Sequence, residues 1–283
     1  MKLSIVLSTQ TTQFQAATFK GDLEANLAKI AGWGYDGVEL SIRDPKLVDA
    51  DALLRTVSAQ GLEIPAIGTG QAWGEEGLSY TDPDPAIRAA AIERTIAHIP
   101  LAAQTGALII IGLLRGIVKP GVGQEQAMDW LVEALRHSCA AAEPDGVRIA
   151  LEPICRYETS LVNNASEGLD LLERVGAENM GLLLDTFHMN IEEPVIEDSI
   201  RACGDRVFHF HVADSHRWYP GSGHLDFASL LDALHATGYQ GYVSGEWLPE
   251  PDAGTSAERG IAFLRQLPVL GAGRRESTVG VGE

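Results

Sequence analysis

Eight short runs rich in valine, isoleucine and leucine, separated by longer stretches of helical composition, constrain this chain more than any single motif. The runs are LSIVLS at 3–8, GVELS at 37–41, EIPAIG at 63–68, ALIIIG at 107–112, VRIALE at 147–152, MGLLLD at 180–185, VFHFHV at 207–212 and YVSGE at 242–246. Between them lie Ala/Leu/Glu-rich segments such as 22–33, 86–105, 125–143 and 166–175. Several end at a glycine just before the next run, as at Gly176 and Gly238, where a left-handed residue can close a helix. Eight strand-then-helix units over about 265 residues predict an α/β fold, a single (β/α)8 barrel. A doubly wound open sheet shares the alternation, but it would place a glycine-rich phosphate turn after the first strand. Here that turn reads STQTTQF. The expected barrel spans residues 1–270; the tail GAGRRESTVGVGE at 271–283 has no apolar periodicity and is expected to be disordered.

Of the 283 residues, 45% are apolar, enough for one large barrel core or two small domains, and no linker or composition shift argues for the second. The formal charge of -18 repels phosphate backbones and anionic lipid surfaces, so neither nucleic acid nor a membrane is an expected partner. Cys139, Cys155 and Cys203 lack CxxC spacing and an even count, which speaks against a disulfide framework or a thiolate zinc site. No apolar run approaches the roughly 18 residues of a spanning helix, and the run in MKLSIVLSTQ is too short for a signal-peptide core. A cytoplasmic location is the expectation.

Active sites of such barrels sit at the C-terminal ends of the strands. Four consecutive strands end there in a potential ligand: the fifth at Glu152, the sixth at Asp185, the seventh with His209 and His211, the eighth at Glu246. Any one of them alone is more often a helix cap or a salt-bridge partner. Four at equivalent positions converge on one mouth. The two histidines, spaced i and i+2, share a face of their strand, so only one need be a ligand. Three carboxylates and an imidazole without a thiolate favour Mn²⁺, Mg²⁺ or Co²⁺ over structural zinc. Glu158 in RYETS, His188 in DTFHMN and Arg217 in DSHRWYPGSGH lie close enough in sequence to read hydroxyls, with loop salt bridges as the alternative.

The segments LEPICRYETSLVNNASEGLDLL, LLLDTFHMNIEE, HFHVADSHRWYPGSGHLDF and SGEW resemble the ketose 3-epimerases, the D-tagatose and D-psicose group of the xylose-isomerase-like barrels, over nearly the whole chain. In the N-terminal half, KLSIVLST, VELSIRDP, AIGTGQAW and IIIGLLRG resemble the branch described as 5-keto-L-gluconate epimerase, which acts on ketouronates such as D-tagaturonate. The resemblance implies Glu152, Asp185, His211 and Glu246 as ligands of one divalent ion per subunit, Mn²⁺ with Mg²⁺, Co²⁺ or Zn²⁺ as alternatives. It implies Glu152 and Glu246 as the acid/base pair, and Glu158, His188 and Arg217 as substrate contacts. Phe14 and Trp73 fall in a region that varies between branches. The implied partner is a small sugar or sugar acid, in a homodimer or homotetramer; Trp73, Trp218 and Tyr219 suit a subunit contact as well as a lid.

Epimerisation next to a ketone removes a proton from one face of the substrate and returns one to the other, so it needs two acid/base groups on opposite sides. An aldose–ketose isomerase needs one. Arg115 in GLLRG, helped by Arg43 in SIRDP, is expected to bind the carboxylate of a ketouronate bidentately, with an ion pair to an acidic loop as the alternative. The competing readings are a neutral-ketose 3-epimerase, a hydroxypyruvate isomerase or other aldose–ketose isomerase, an inosose dehydratase, a DNA-repair endonuclease disfavoured by the charge, and a non-catalytic sugar binder.

Overall fold

The pleat sends successive strand residues to opposite faces, and in this molecule the two faces meet very different surroundings. The computed structural model describes residues 1–10 and 12–271. Its strands are β1 (Lys2–Ser8), β2 (Phe19–Lys20), β3 (Gly37–Ser41), β4 (Ala66–Gly68), β5 (Leu108–Ile111), β6 (Ile149–Leu151), β7 (Met180–Asp185), β8 (Val207–Val212) and β9 (Tyr242–Gly245). All pairings are parallel, and β1 bonds to both β3 and β9, which closes β1 and β3 to β9 into an eight-stranded barrel. The two-residue β2 is an addition to β1 that the sequence pattern did not announce.

One parity of each strand faces the helices. Leu3, Ile5, Leu7, Ile109, Ile111 and Leu182 belong to this layer and pack with helical residues such as Leu27, Leu131 and Leu135 in one large apolar core. The other parity faces the barrel axis. There Ala66, Leu108, Ile110, Ala150 and Leu183 form a separate small cluster on β4 to β7. On β1, β3, β8 and β9 the same parity carries buried polar residues, Ser4, Glu39, Ser41, His209, His211 and Ser244, with Val6 among them. Full burial of one Leu, Ile or Val contributes about 1.5–3 kcal/mol, so the helix-side layer offsets an interior that holds buried charge.

The helices are α1 (Leu23–Gly32), α2 (Ala50–Ala59), α3 (Gln71–Glu76), α4 (Pro85–Thr105), α5 (Gln124–Ala142), α6 (Ala165–Val175), α7 (Thr186–Glu192), α8 (Ile196–Cys203), α9 (Phe227–Ala236), α10 (Ala253–Leu264) and α11 (Pro268–Gly271). Asp22, Asp49, Asp84, Asp226 and Asp252 each accept a backbone N–H at a helix start, so part of the acidic charge is capping chemistry. Gly176 closes α6 with φ 70°, and Gly238 takes φ 85° before β9, as the sequence predicts. The run 63–68 yields a strand only from Ala66: Pro65 has no N–H for a ladder, and Glu63 is left with an isolated bridge to Gly37. The predicted tail begins at Gly271, which ends α11; residues 272–283 lie outside the described residues. Among the described residues no helix is long and apolar enough to cross a membrane.

Gly37 marks a tight closure point. A Cβ there would lie 2.8 Å from the Glu63 carbonyl oxygen, which accepts the N–H of Val38, and 2.8 Å from the Tyr242 ring. Gly37→Ala is expected to cost about 1–3 kcal/mol of stability by overpacking, read as a lower urea midpoint. An unchanged midpoint would show that the closure is looser than described.

Candidate active site

The axis-facing row ends at the C-terminal rim, and four neighbouring strands place their last polar residue there. Glu152 follows β6, Asp185 closes β7, His211 is the penultimate residue of β8 and Glu246 follows β9. Each offers one ligand atom, and these atoms all lie within 4.8 Å of one another. All four side chains are buried, and three of their atoms, Glu152 Oε1, Asp185 Oδ2 and His211 Nδ1, have no hydrogen-bond partner. A carboxylate oxygen stripped of water and left unpaired is costly, and a divalent cation is the simplest compensation. The donor set, oxygen and imidazole without thiolate, fits such an ion.

Local structure aims each ligand. Asp185 splits its duties: Oδ1 caps α7 by accepting the N–H of Phe187 at 2.8 Å, which leaves Oδ2 turned to the cluster. Glu152 has room because residue 112 is glycine, where a Cβ would sit 3.0 Å from Glu152 Oε2. Glu246 Oε2 accepts from Arg217 Nη2 at 3.0 Å, and the next residue, fully buried Trp247, anchors the strand end through its Nε1–H to Ser256 Oγ at 3.2 Å. His211 donates Nε2–H to Glu39, whose two oxygens lie 2.9 and 3.1 Å away.

Electrostatics follow from crowding like charges in a dry site. Burial, then Glu246, push the Glu152 carboxyl well above its ordinary range. Burial raises Asp185, and raises Glu246 to about 7 against the opposing pull of His211 and Arg217. For His211 burial disfavours the charged form, but Glu39 and then Glu246 and Glu152 outweigh it and raise the imidazole to about 10. His188 goes the other way: burial, then Arg217 and Arg115, hold it well below the usual imidazole range. Without a cation, protons are the only positive charge that the cluster can add.

The quartet opens into a cavity of about 240 Å³, on the scale of a monosaccharide. Phe14, Trp73, Leu113 and Ile154 form apolar wall; Glu158, His188 and Arg217 are on the polar side. His188 Nε2 lies 3.8 Å from Glu152 Oε1 and 4.0 Å from Asp185 Oδ2. Arg217 donates through Nη1 to Glu158 at 2.9 Å and lies over the Phe187 ring, 4.9 Å from its centroid. Its backbone is left-handed, φ 64°, and is pinned by the Asp214 carbonyl and by the N–H of Leu248. Cys155, Glu158 and His188 form a further group with ligand atoms within 4.8 Å of one another, in which Glu158 already has Arg217 as its cation.

The structure thus brings together the quartet, Glu158, His188, Arg217, Phe14 and Trp73. It does not bring Arg115 to the cavity. That residue sits in a short turn, Leu113–Arg115, which folds the guanidinium into the interior, where Nε donates to the Gly112 carbonyl and Nη1 to those of Leu161 and Val162. Arg115 is fully buried, and burial lowers it to about 10 despite Glu152 and Glu158. Arg43 is paired with the C-terminal end of α3, at 2.7 Å from Glu75 and 3.2 Å from Glu76. The expectation of a carboxylate held by these two arginines therefore loses its geometry. Trp218 and Tyr219 are off the cavity wall, Trp218 tilted against the His216 ring and Tyr219 bonded to Arg259.

Two residues escaped the sequence reading. Glu39, a carboxylate in the middle of the apolar run GVELS, was visible as a charge that the strand must bury. Asp214 is fully buried, and its carboxylate accepts the N–H groups of Ser215, Gly221, Gly223 and Leu225, which ties down the loop carrying Arg217. A Cβ at Gly223 would lie 2.2 Å from Asp214 Oδ1, so glycine is required there.

The family described as xylose isomerase-like TIM barrel matches residues 27–267. This chain belongs to that family. It is 33% identical over 259 residues to an L-ribulose 3-epimerase of Mesorhizobium japonicum, covering 90% of this chain and 85% of that one. A D-psicose 3-epimerase of Ruminiclostridium cellulolyticum is 31% identical over 80% of this chain and 78% of its own. Among solved structures, a D-allulose 3-epimerase of Methylomonas sp. in complex with D-allulose superposes with a TM-score of 0.79 at 27% identity, covering 94% and 97% of the two chains. Relatives across most of the chain are epimerases, which puts this xylose isomerase-like barrel in the isomerase class of enzymes.

Asp214→Asn places an amide NH₂ against backbone donors, leaving a buried N–H without an acceptor at a cost of about 1–3 kcal/mol. The expected result is faster proteolytic cleavage within residues 214–225 while the circular dichroism of the barrel is retained. Equal protection of that loop in both proteins would remove Asp214 from the role of organiser.

Proposed function

We propose that the chain is a divalent-metal-dependent epimerase that inverts the carbon next to the ketone of a ketouronate of the D-tagaturonate/5-keto-L-gluconate type. The observation that supports it most is the convergence of four ligand atoms, three of them on buried groups with an unpartnered atom, at the mouth of a monosaccharide-sized cavity. Glu152, Asp185, His211 and Glu246 hold the ion, Mn²⁺ in this reading; when bound it supplies Lewis-acid polarisation of the ketone oxygen, worth several kcal/mol of barrier.

The proton chemistry belongs to the chain. Glu152 and Glu246 are the outer members of the four-strand arc, with Asp185 and His211 between them. One carboxylate takes the proton from the carbon beside the ketone, giving a planar enediolate, and the other, protonated, delivers a proton to the opposite face. For the reverse direction they exchange roles. Arg217, positioned by Asp214 and Leu248, orients Glu246 and Glu158, and Glu158, His188 and Arg217 contact substrate hydroxyls. Phe14 and Trp73 exclude water from the reacting carbon.

The ketouronate assignment draws on the wall itself. The segments resembling that branch supply Ser41, Thr69, Gln71, Trp73, Gly112 and Leu113 to the cavity. A specific observation favours a second reading, a neutral-ketose 3-epimerase: among the described residues Arg217 is the one guanidinium on the wall, and Glu158 and Glu246 already hold it. The named activities of the relatives, on L-ribulose and D-psicose, point the same way.

Glu152→Gln and Glu246→Gln are each expected to lower kcat by about 10²–10⁴-fold or more while leaving the circular dichroism and thermal midpoint close to those of the parent protein. Substantial epimerase activity in either variant would remove that residue from the proton transfer. For the substrate, kcat/KM on D-tagaturonate should exceed that on D-tagatose and D-psicose; a clear preference for the neutral sugars would decide for the second reading.

A further inference from the structure

Glu39 stands at the centre of GVELS, on the axis-facing parity of β3, and reaches across the barrel interior to β8, which is separated from β3 by β9 and β1. Its carboxylate is 2% exposed and faces two imidazoles that are each 1% exposed. His209 Nε2 lies 2.8 Å from Glu39 Oε2, and His211 Nε2 lies 2.9 Å from the same oxygen and 3.1 Å from Oε1. The two rings meet edge to face, with centroids 5.3 Å apart.

An ionised carboxylate only accepts hydrogen bonds, so both imidazoles must present Nε2 as N–H. For His211 this settles which nitrogen is left over. Nδ1 has no protein partner, lies 3.9 Å from Glu246 Oε2, and is the atom turned toward the three carboxylates. Free imidazole protonates either nitrogen, and a proton on Nδ1 would exclude a cation from that position.

We propose that Glu39 is a positioning residue for the metal site: it fixes His211 as the Nε2–H tautomer with Nδ1 aimed at the cation, and His209 holds Glu39 in place from the other side. The inference rests on the metal-site reading above. The trio is also a further cluster of potential ligand atoms within 4.8 Å of one another, but its facing atoms are already joined by hydrogen bonds, whereas those of the quartet are not. A purely structural trio, present only to neutralise one buried carboxylate, would leave metal affinity untouched once the fold is intact.

Isothermal titration of the metal-free protein with Mn²⁺ separates these roles. Glu39→Gln keeps the shape of the side chain but offers one acceptor oxygen to two N–H donors. It should bind Mn²⁺ about 10–100-fold more weakly than the parent protein, the usual effect of removing the group that orients a ligating histidine, while the circular dichroism is retained. His209→Gln, which leaves the Glu39–His211 bond in place, should weaken binding less. In the Zn²⁺-loaded parent protein, long-range ¹H–¹⁵N spectra should show the His211 proton on Nε2. Undiminished Mn²⁺ affinity in Glu39→Gln overturns the role of Glu39 alone; a proton on His211 Nδ1 in the Zn²⁺-loaded protein overturns that role and also removes His211 from the ligands. Should Glu39→Gln fail to fold, the same spectrum of the parent protein decides: a His211 Nε2–H shifted downfield and slow to exchange, as a bond to the Glu39 carboxylate requires, supports the role, and one that exchanges as freely as an unbonded imidazole N–H overturns it. A parent protein that takes up no divalent ion overturns the metal reading and this inference with it.

Discussion

Charge buried at the axis of the barrel is the constraint on which the rest of this molecule depends. Glu39, Glu152, Asp185 and Glu246 are all nine-tenths or more removed from solvent, where an isolated carboxylate is too costly to persist ionised. The interior deals with them in two ways. Glu39 is answered inside the fold by two imidazoles. Glu152, Asp185 and Glu246 are answered only in part, by His211 and Arg217, and Glu152 Oε1, Asp185 Oδ2 and His211 Nδ1 keep no hydrogen-bond partner. The first cluster closes on itself through hydrogen bonds; the second leaves buried ligand atoms open. The apolar layer between strands and helices supplies the stability that makes such an interior tolerable.

The barrel divides labour along its strands. Helix-facing positions are apolar, whereas axis-facing positions on β8 and β9 and at the ends of β6 and β7 carry buried polar and charged groups. Loops then refine it. The Asp214 carboxylate gathers four backbone N–H groups so that Arg217 can hold a left-handed backbone and brace both Glu158 and Glu246. The opposite wall is built from the N-terminal half of the chain, with Phe14, Trp73 and Leu113 on it.

Much of this was legible in the sequence, for identifiable reasons. Strand runs and their glycine-terminated helices have a period that survives any packing detail, so the eight barrel strands and the rim positions of Glu152, Asp185, His211 and Glu246 follow from counting. Direction does not. Arg115 follows the fourth barrel strand, as its position implies, yet a single turn folds its guanidinium into carbonyls of a neighbouring loop rather than into the cavity. Arg43 also lies where expected, but Glu75 and Glu76 at the end of α3 claim it. Glu39 was hidden by the opposite error: a charge inside an apolar run reads as an anomaly of one strand until its partners, some 170 residues away in sequence, are brought beside it.

The central claim is that Glu152 and Glu246 exchange protons with the substrate carbon on opposite faces. Incubating the Mn²⁺-loaded protein with its ketouronate or ketose in D₂O and locating deuterium in the product tests this most directly. The account predicts deuterium at the epimerised carbon, beside the ketone, and nowhere else. Epimerised product that carries only protium at that carbon, or deuterium confined to a different carbon, would contradict it.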